Sequence, residues 1–381
     1  VARFKDAIGS YKRYIDLSQA APDSSNVRVY FELAMSYVNL FGFEDAVTYF
    51  EHVLSIPYEP RDIYFWYGKA LWGMQQYEKS GDILLKHVDW VENRGDAEVT
   101  KADEGELYQL LGDSYFYRKP KDYATALPYY IKSLEVDPDQ KRLLQNVAIG
   151  YHTMKSHQQA IDYYEKRIAL GIDSSSASIL KNAGFCALNL AGSTSGMDDE
   201  EFLEDIEEPG GINAGNPPAD KNYFEEAARY LTGYLEHFPS DTGVMSMVAN
   251  TYLYQLSDCE NGIAHYEKVL ALDPGNCDAL KAIGFAYFGG ICAKNYTKAA
   301  QYLKRAYDCI SAGKGACGDV NLLLWLGQCY HLRAAAKAEA KEDANDDFRS
   351  AFEWYEKCLK CDAANAECKK GRDEVYLEFG D

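Results

Sequence analysis

The sequence predicts an all-α fold built from consecutive helical hairpins, and three observations lead to that prediction. Residues 143–172 contain two stretches with apolar side chains at helical spacing, separated by a short turn at 154–157 that lacks the pattern. The same arrangement recurs along most of the chain. A chain of 381 residues also exceeds what one compact core usually holds, whereas a stack of hairpins has a linear core that can grow.

The hairpin at 143–172 shows why repetition is expected. In its first helix, Leu144, Val147 and Tyr151 fall on one stripe. Small residues at Ala148 and Ala160 let the two helices cross closely, since a bulky side chain at either site would push the helix axes apart. Neither helix can bury its stripe alone, so the unit needs neighbouring hairpins.

This pattern of an aromatic residue or Leu, a Gly or Ala, a Tyr and a second Ala resembles the tetratricopeptide repeat (TPR), a helix–turn–helix unit of about 34 residues. The Gly or Ala at the close crossing recurs eight times, as Ala34, Gly68, Gly112, Ala148, Gly184, Ala249, Gly284 and Gly327. The resemblance implies a right-handed TPR superhelix, an α–α solenoid of about eight hairpins. It also implies a leading half repeat and a C-terminal capping helix with a polar outer face.

The repeats divide the chain into five predicted segments. The expected order is a partial repeat with only a second helix (1–24), N-terminal repeats (25–190), an acidic insertion (191–222), C-terminal cysteine-rich repeats (223–362) and the capping helix (363–381). Because the first segment already has the pattern of a second helix, we expect the chain to start inside the protein, after any signal peptide, lipid anchor or first helix.

Two departures from the regular repeat stand out. In the acidic insertion, Phe202, Leu203 and Ile206 lie at helical spacing, which predicts a short amphipathic helix that docks on a partner or folds back on the scaffold. The alternative is a solvated acidic loop. The stretch 333–347 consists mostly of strong helix formers, so it is expected to prolong a first helix by a few turns.

Charge and hydropathy restrict the kind of partner. The formal net charge is −20, with an isoelectric point near 4.8, and such a chain repels phosphate backbones and anionic membrane surfaces. Proteins, including basic ones, remain as partners. The sequence has no apolar run of about 18 residues, so it predicts no membrane span.

Nine of the ten cysteines follow residue 250. Cys309 with Cys317, and Cys358 with Cys368, flank junctions short enough to join helix ends, which predicts disulfides and an oxidising compartment such as a bacterial periplasm or secretory lumen. The alternative is that cysteine serves as a small apolar residue at crowded helix contacts, and Cys186 and Cys329 fit that role.

The sequence gives no basis for catalysis, a metal or a cofactor. The C-x-x-C pair at 358 and 361 lacks the further ligands of a zinc site, and the acidic cluster lacks the order of a calcium loop. No nucleophile elbow, H-E-x-x-H or phosphate-binding motif occurs. We therefore predict a non-catalytic protein.

In TPR proteins, certain first-helix positions line an inner, concave wall that binds extended peptides or helices. Transferred by position, the resemblance predicts a partner-binding wall of Phe31, Met35, Phe65, Lys69, Trp72, Phe116, His152, Lys181, Phe185, Asn250, Lys281, Phe285 and Phe288. Aromatic anchors suit binding hot spots. The alternative is that loops cover these residues or that they form part of the core. The Lys and Asn pattern of carboxylate-binding TPR domains is incomplete, so that mode is not predicted.

The sequence thus favours a protein–protein scaffold or adaptor that holds partner proteins in a larger assembly outside the cytoplasm. The alternative function is a cytosolic TPR peptide receptor or co-chaperone-like regulatory module with reduced cysteines.

Overall fold

The computed structural model describes residues 2–18, 23–56, 62–94, 101–192 and 222–379. Within these ranges the chain is helical and contains no strand, which confirms the predicted all-α solenoid class. The described residues divide into two compact units, here called unit 1 (up to Gly171) and unit 2 (from Ile172 onward). The residues predicted to dock from the insertion, Phe202, Leu203 and Ile206, lie outside the described ranges.

Unit 1 contains a single leading helix followed by four hairpins. Its helices are α1 (Ala2–Ser18), α2 (Val27–Val38), α3 (Phe43–Leu54), α4 (Ile63–Gly73), α5 (Tyr77–Arg94), α6 (Lys101–Phe116), α7 (Tyr123–Val136), α8 (Lys141–Thr153) and α9 (His157–Ala169). Helix α1 has no buried residue and packs on α2.

Unit 2 contains four hairpins and a final helix. Its helices are α10 (Ser178–Leu190), α11 (Tyr223–His237), α12 (Thr242–Asn250), α13 (Cys259–Leu272), α14 (Cys277–Gly289), α15 (Tyr296–Lys314), α16 (Val320–Glu339), α17 (Asn345–Cys361) and α18 (Ala366–Phe379). A π-helical turn, Thr251–Gln255, continues α12.

Close helix crossings explain the recurring small residues. Ala148 and Ala160 have no exposed surface, as the sequence predicted for the crossing of α8 and α9. A Cβ atom added to Gly112 would lie 2.5 Å from the Tyr130 ring, and one added to Gly284 would lie 2.7 Å from Leu303 Cδ2. In these two hairpins the missing side chain on the first helix makes room for a large residue of the second helix.

Short polar residues set where many of the helices begin. At eight helix starts in the described residues, an Asp or Asn side chain accepts a hydrogen bond from the backbone N–H three residues later, which satisfies a donor that the helix itself leaves unpaired. These N-caps are Asp122, Asn222, Asp241, Asp258, Asn276, Asn295, Asp319 and Asn365.

Residues from Arg333 onward were expected to prolong a first helix. They do so, because α16 runs to Glu339 and is 20 residues long. Arg333 and Lys337 lie one turn apart on this extension and both pair with Asp347 in the first turn of α17. The expected capping helix is α18, but its outer face is less polar than predicted. Tyr376 is 68% exposed and Leu377 is 73% exposed, so two large apolar side chains lie on that surface.

Candidate partner-binding surface

In unit 1, three of the predicted anchors are buried. Phe31, Phe65 and Phe116 are each less than 10% exposed, and their rings pack on aromatic neighbours from the same unit. These three follow the alternative considered from the sequence, in which the aromatic residues form part of the core, because the second helix of the same hairpin covers each ring. They offer a partner little surface.

The other predicted residues of unit 1 are half-buried. Lys69 Nζ pairs with Glu106 Oε1 at 2.5 Å, which joins the first helices of two consecutive hairpins, and it lies 5.1 Å from the centre of the Trp66 ring. Met35 packs against the apolar core around α2 and α3. The Trp72 indole Nε1 is buried, and within the described residues no hydrogen-bond acceptor lies next to it.

His152 lies within an aromatic group at the turn between α8 and α9. Its ring lies edge-on to His157 at 5.8 Å and to Tyr164 at 6.3 Å, and its Nδ1 is 3.4 Å from the Tyr164 hydroxyl. These contacts cover much of the His152 side chain. His152 therefore helps to hold α8 against α9, in addition to its place in the predicted wall.

A polar network in unit 1 was not predicted. Asp113 is fully buried on α6, and its carboxylate accepts hydrogen bonds from Arg142 of α8 and from the Tyr130 hydroxyl of α7. The Asn146 amide in turn donates to Tyr130 and to Tyr117. Burial raises the pKa of the Tyr130 hydroxyl, and the Asp113 charge raises it further. The hydrogen bonds centred on Asp113 therefore tie three helices together.

In unit 2, the predicted residues on α14 converge with one residue that the prediction missed. The centres of the Phe285 and Trp325 rings are 4.8 Å apart, and Phe288 is 6.4 Å from Phe285. All three side chains are half-buried and therefore keep accessible surface. We call Phe285, Phe288 and Trp325 the aromatic cluster. Trp325 lies on α16, the first helix of the next hairpin. Its position is not one of those that line the concave wall in TPR proteins, so the prediction did not include it.

The two lysines of the unit 2 surface are neutralised by acids that also cap helices. Lys281 Nζ lies 2.5 Å from Asp319 Oδ2, while Asp319 Oδ1 accepts from the Leu322 N–H and caps α16. Lys181 Nζ lies 3.5 Å from the second capping acid, Asp241. Because each carboxylate is shared between a helix N-terminus and a lysine of the preceding first helix, the lysines are not isolated positive charges.

Burial and hydrogen bonding have opposite effects on the pKa of the Asp241 carboxylate. Burial raises the pKa of Asp241, but hydrogen bonds from the Val244 N–H and the Tyr234 hydroxyl outweigh that effect, and the pKa lies below its ordinary value of 3.8. The acid is therefore ionised at neutral pH and holds Lys181 in place.

Two further predicted residues lie on neighbouring first helices. Phe185 of α10 is half-buried, and Lys181 Nζ is 5.7 Å from the centre of its ring. Asn250 is exposed at the end of α12 and accepts a hydrogen bond from the Tyr266 hydroxyl. The unit 2 residues thus combine apolar rings with polar groups that are already paired.

Eight cysteines form four disulfides in unit 2: Cys259–Cys292, Cys277–Cys309, Cys317–Cys361 and Cys358–Cys368. All four cysteines that were predicted from the sequence to form disulfides are bonded. The pairing of Cys358 with Cys368 is the one that was expected. The expected pairing of Cys309 with Cys317 is wrong. Consecutive helices are antiparallel, so the start of one helix lies beside the end of the next, and each of those two cysteines meets a partner across a hairpin.

The remaining two cysteines, Cys186 and Cys329, have no exposed surface, in keeping with their predicted packing role. Burial raises the pKa of the Cys329 thiol to about 12, so it stays protonated and unreactive. In the part of the chain that the structure describes, no helix is long and apolar enough to cross a membrane.

Comparison with known families decides the class of protein. Residues 27–59, which contain α2 and α3, match the family model of the tetratricopeptide repeat. The α2–α3 hairpin is a tetratricopeptide repeat (TPR). No curated protein sequence matches this chain.

Solved structures similar to this chain include MamA, YrrB and yeast Sti1. A crystal structure of MamA is 20% identical, with 56% of this chain and 94% of that chain covered and a TM-score of 0.36. YrrB, described as a TPR protein with an unusual peptide-binding site, is 18% identical, with 61% and 95% covered and a TM-score of 0.37. The structure described as a TPR2AB-domain:pHSP90 complex of yeast Sti1 is 13% identical, with 80% and 98% covered and a TM-score of 0.38.

Proposed function

We propose that this TPR protein is a non-catalytic scaffold or adaptor that holds partner proteins in a larger assembly, with the first-helix residues of unit 2 as a docking surface. The observation that carries the proposal is the aromatic cluster. Phe285, Phe288 and Trp325 come from two consecutive first helices, lie next to one another and remain half-exposed. Rigid rings of this kind bury much area on binding and lose few torsions.

The pairing of both lysines with acids makes an acidic partner segment an unfavourable ligand for this surface. With Lys281 paired to Asp319 and Lys181 paired to Asp241, the surface has little free positive charge with which to hold an acidic segment. The partner is therefore expected to dock through apolar side chains, and the net charge of −20 disfavours nucleic acid and anionic membranes as ligands.

We also propose that the protein works outside the cytoplasm. Four disulfides support this location, because cytoplasmic reductants keep most thiols reduced. The alternative, a cytosolic peptide receptor or co-chaperone-like module, requires these cysteines to be thiols in the native protein. Mass measurement of protein alkylated without a reductant separates the two, since the proposal expects eight cysteines to stay unlabelled.

Photo-crosslinking tests the docking surface. A photoreactive amino acid in place of Phe288 should capture a defined protein in native material. The same amino acid in place of Tyr254, an exposed residue on the π-helical turn outside the cluster, is the matched control. Equal capture at both positions would show that the aromatic cluster is not the docking surface. A complex that survives purification at fixed stoichiometry supports a scaffold, whereas weak capture of short peptides supports a receptor.

The insertion remains a second proposed contact. Phe202, Leu203 and Ile206 are the residues expected to meet a partner there, and the same crosslinking experiment at Phe202 tests them.

A further inference from the structure

The C-terminal end of unit 2 contains two disulfides whose cysteines alternate along one helix end. Cys358 and Cys361 lie three residues apart in the last turn of α17. Cys358 is bonded to Cys368 of α18, and Cys361 is bonded to Cys317 in the turn between α15 and α16. Three structural elements are therefore joined at a single C-x-x-C pair.

The two bonds differ sharply in access to solvent. Cys317 is the exposed member among the eight bonded cysteines, and it lies in a glycine-rich turn that includes Gly315 and Gly318. Cys358 and Cys368 have no exposed surface. An external thiolate can therefore reach the Cys317 sulfur, whereas the Cys358–Cys368 bond is closed to it.

Helix geometry places the Cα atoms of the C-x-x-C pair at a separation that a disulfide can span. Residues three apart in an α-helix have Cα atoms about 5 Å from each other. That separation lies within the range of about 4.4–6.8 Å that disulfides tolerate. Cys361 is also the last residue of α17, so a thiolate released there stays beside Cys358 on the same turn of the helix.

We propose that Cys317 is an attack site for an external thiol, and that the Cys361 thiolate released there displaces Cys368 from Cys358. In the first step the sulfur of a small thiol such as glutathione bonds to Cys317 Sγ. The Cys317–Cys361 bond breaks, and its electron pair leaves on Cys361 Sγ.

In the second step Cys361 Sγ bonds to Cys358 Sγ. The Cys358–Cys368 bond breaks, and its electron pair leaves on Cys368 Sγ, which takes up the proton that the attacking thiol gave up. Two protein disulfides and one thiol become a mixed disulfide at Cys317, a new Cys358–Cys361 disulfide and a thiol at Cys368. No oxidant or further reductant is consumed.

The exchange changes how α18 is held. Before it, Cys358–Cys368 ties α18 covalently to α17. Afterwards α18 is held only by non-covalent contacts, which include the Arg372–Glu356 ion pair at 3.2 Å and the contact of His331 Nε2 with Glu378 Oε2 at 3.1 Å. A thiol that reacts at Cys317 thereby weakens the attachment of α18, although it makes no contact with α18.

Disulfide mapping of the full chain tests the proposal. The native protein is treated with reduced glutathione under non-denaturing conditions, and free thiols are trapped with N-ethylmaleimide. We expect glutathione on Cys317, a Cys358–Cys361 link and label on Cys368. The Cys277–Cys309 bond, an internal control, should stay intact.

The matched variant is Cys317→Ser with Cys361→Ser, which retains Cys358–Cys368 and removes the relay. Because the intramolecular step has a high effective concentration, Cys368 should be labelled about tenfold more slowly, or more slowly still, in this variant. Equal labelling of Cys368 in both proteins would overturn the proposal. So would wild-type protein labelled at Cys361 with Cys358–Cys368 intact. Circular dichroism of the untreated variant checks that it is folded.

Discussion

The buried carboxylate of Asp113, on α6, accepts two hydrogen bonds from the guanidinium of Arg142, on α8, at 2.7 and 3.0 Å. This bidentate pair joins the first helices of two consecutive hairpins in unit 1. The Tyr130 hydroxyl donates a third hydrogen bond to the same carboxylate, at 2.7 Å. The acid thus holds together side chains of three helices.

Replacement of this acid should be strongly destabilising. Asp113→Ala leaves the buried Tyr130 hydroxyl without its acceptor and removes the charged hydrogen bonds from Arg142. Because the Arg142 side chain is 43% exposed and can be solvated, the expected cost is about 1–3 kcal/mol. Urea unfolding measures the difference. Asp162→Ala, which removes an exposed acid on α9, is the control and should change stability by well under about 1 kcal/mol. Equal effects of the two substitutions would contradict the role given to Asp113.

The Asp347 site predicts a specific dependence on pH. Burial raises the pKa of Asp347, but hydrogen bonds and charge from Arg333 and Lys337 outweigh that effect and hold the pKa below 3.8. Because the folded-state pKa is depressed, the ionised group stabilises the fold above pH 3.8, and this contribution is lost as the pH falls through the lowered value.

The stability difference between wild type and Asp347→Asn should therefore be constant near neutral pH and shrink as the pH falls below about 4. Unfolding titrations at several pH values measure it. The neighbouring Asp346 is almost fully exposed, so Asp346→Asn is the matched control and should give a small difference throughout. A difference for Asp347→Asn that grows in acid would mean that the pKa is raised instead.

The close crossing of α14 and α15 predicts that Gly284 tolerates no side chain. A Cβ there would lie 2.7 Å from Leu303 Cδ2 and 3.0 Å from the Leu303 backbone nitrogen, so Gly284→Ala should destabilise the protein by about 1–3 kcal/mol. Gly313→Ala is the control, because nothing lies within 4 Å of its Cβ position. Thermal unfolding that shows the same midpoint for both variants would be evidence against the crossing.

The disulfides should contribute to the stability of unit 2. Cys277–Cys309 closes a loop with a sequence separation of 32, for which chain entropy predicts a stabilisation of about 3–4 kcal/mol. Cys277→Ser with Cys309→Ser should lower the unfolding free energy by roughly that amount in urea. With a strong reductant present, wild type and variant should converge. A variant as stable as the oxidised wild type would mean that this bond does not form in the native protein.

The repeat architecture could be predicted from the sequence because each hairpin carries its own signals. Gly284 and its equivalents mark the helix crossings, and capping residues such as Asp319 mark helix starts. What the sequence could not provide was which side chain of the next hairpin meets a given residue. Lys281 was predicted to face a partner, but Asp319 neutralises it. Trp325 was missed because its contact with Phe285 depends on how consecutive first helices stack.

The prediction that Cys309 pairs with Cys317 was wrong for a related reason. Cys309 and Cys317 are near in sequence, but the antiparallel course of successive helices brings each beside a cysteine more than 30 residues away. A search for cysteines at the start of one helix and the end of the next would have found Cys277 for Cys309. Sequence proximity alone was the weaker signal.

The most direct test of the proposed docking surface is the affinity of a partner captured at position 288. We predict that Phe285→Ala with Trp325→Ala weakens binding by about 30-fold or more, equivalent to about 2 kcal/mol, because both rings form the centre of the contact. Tyr254→Ala should leave the dissociation constant unchanged. If the double variant is folded and binds the partner as tightly as wild type does, the aromatic cluster is not where this protein holds its partner.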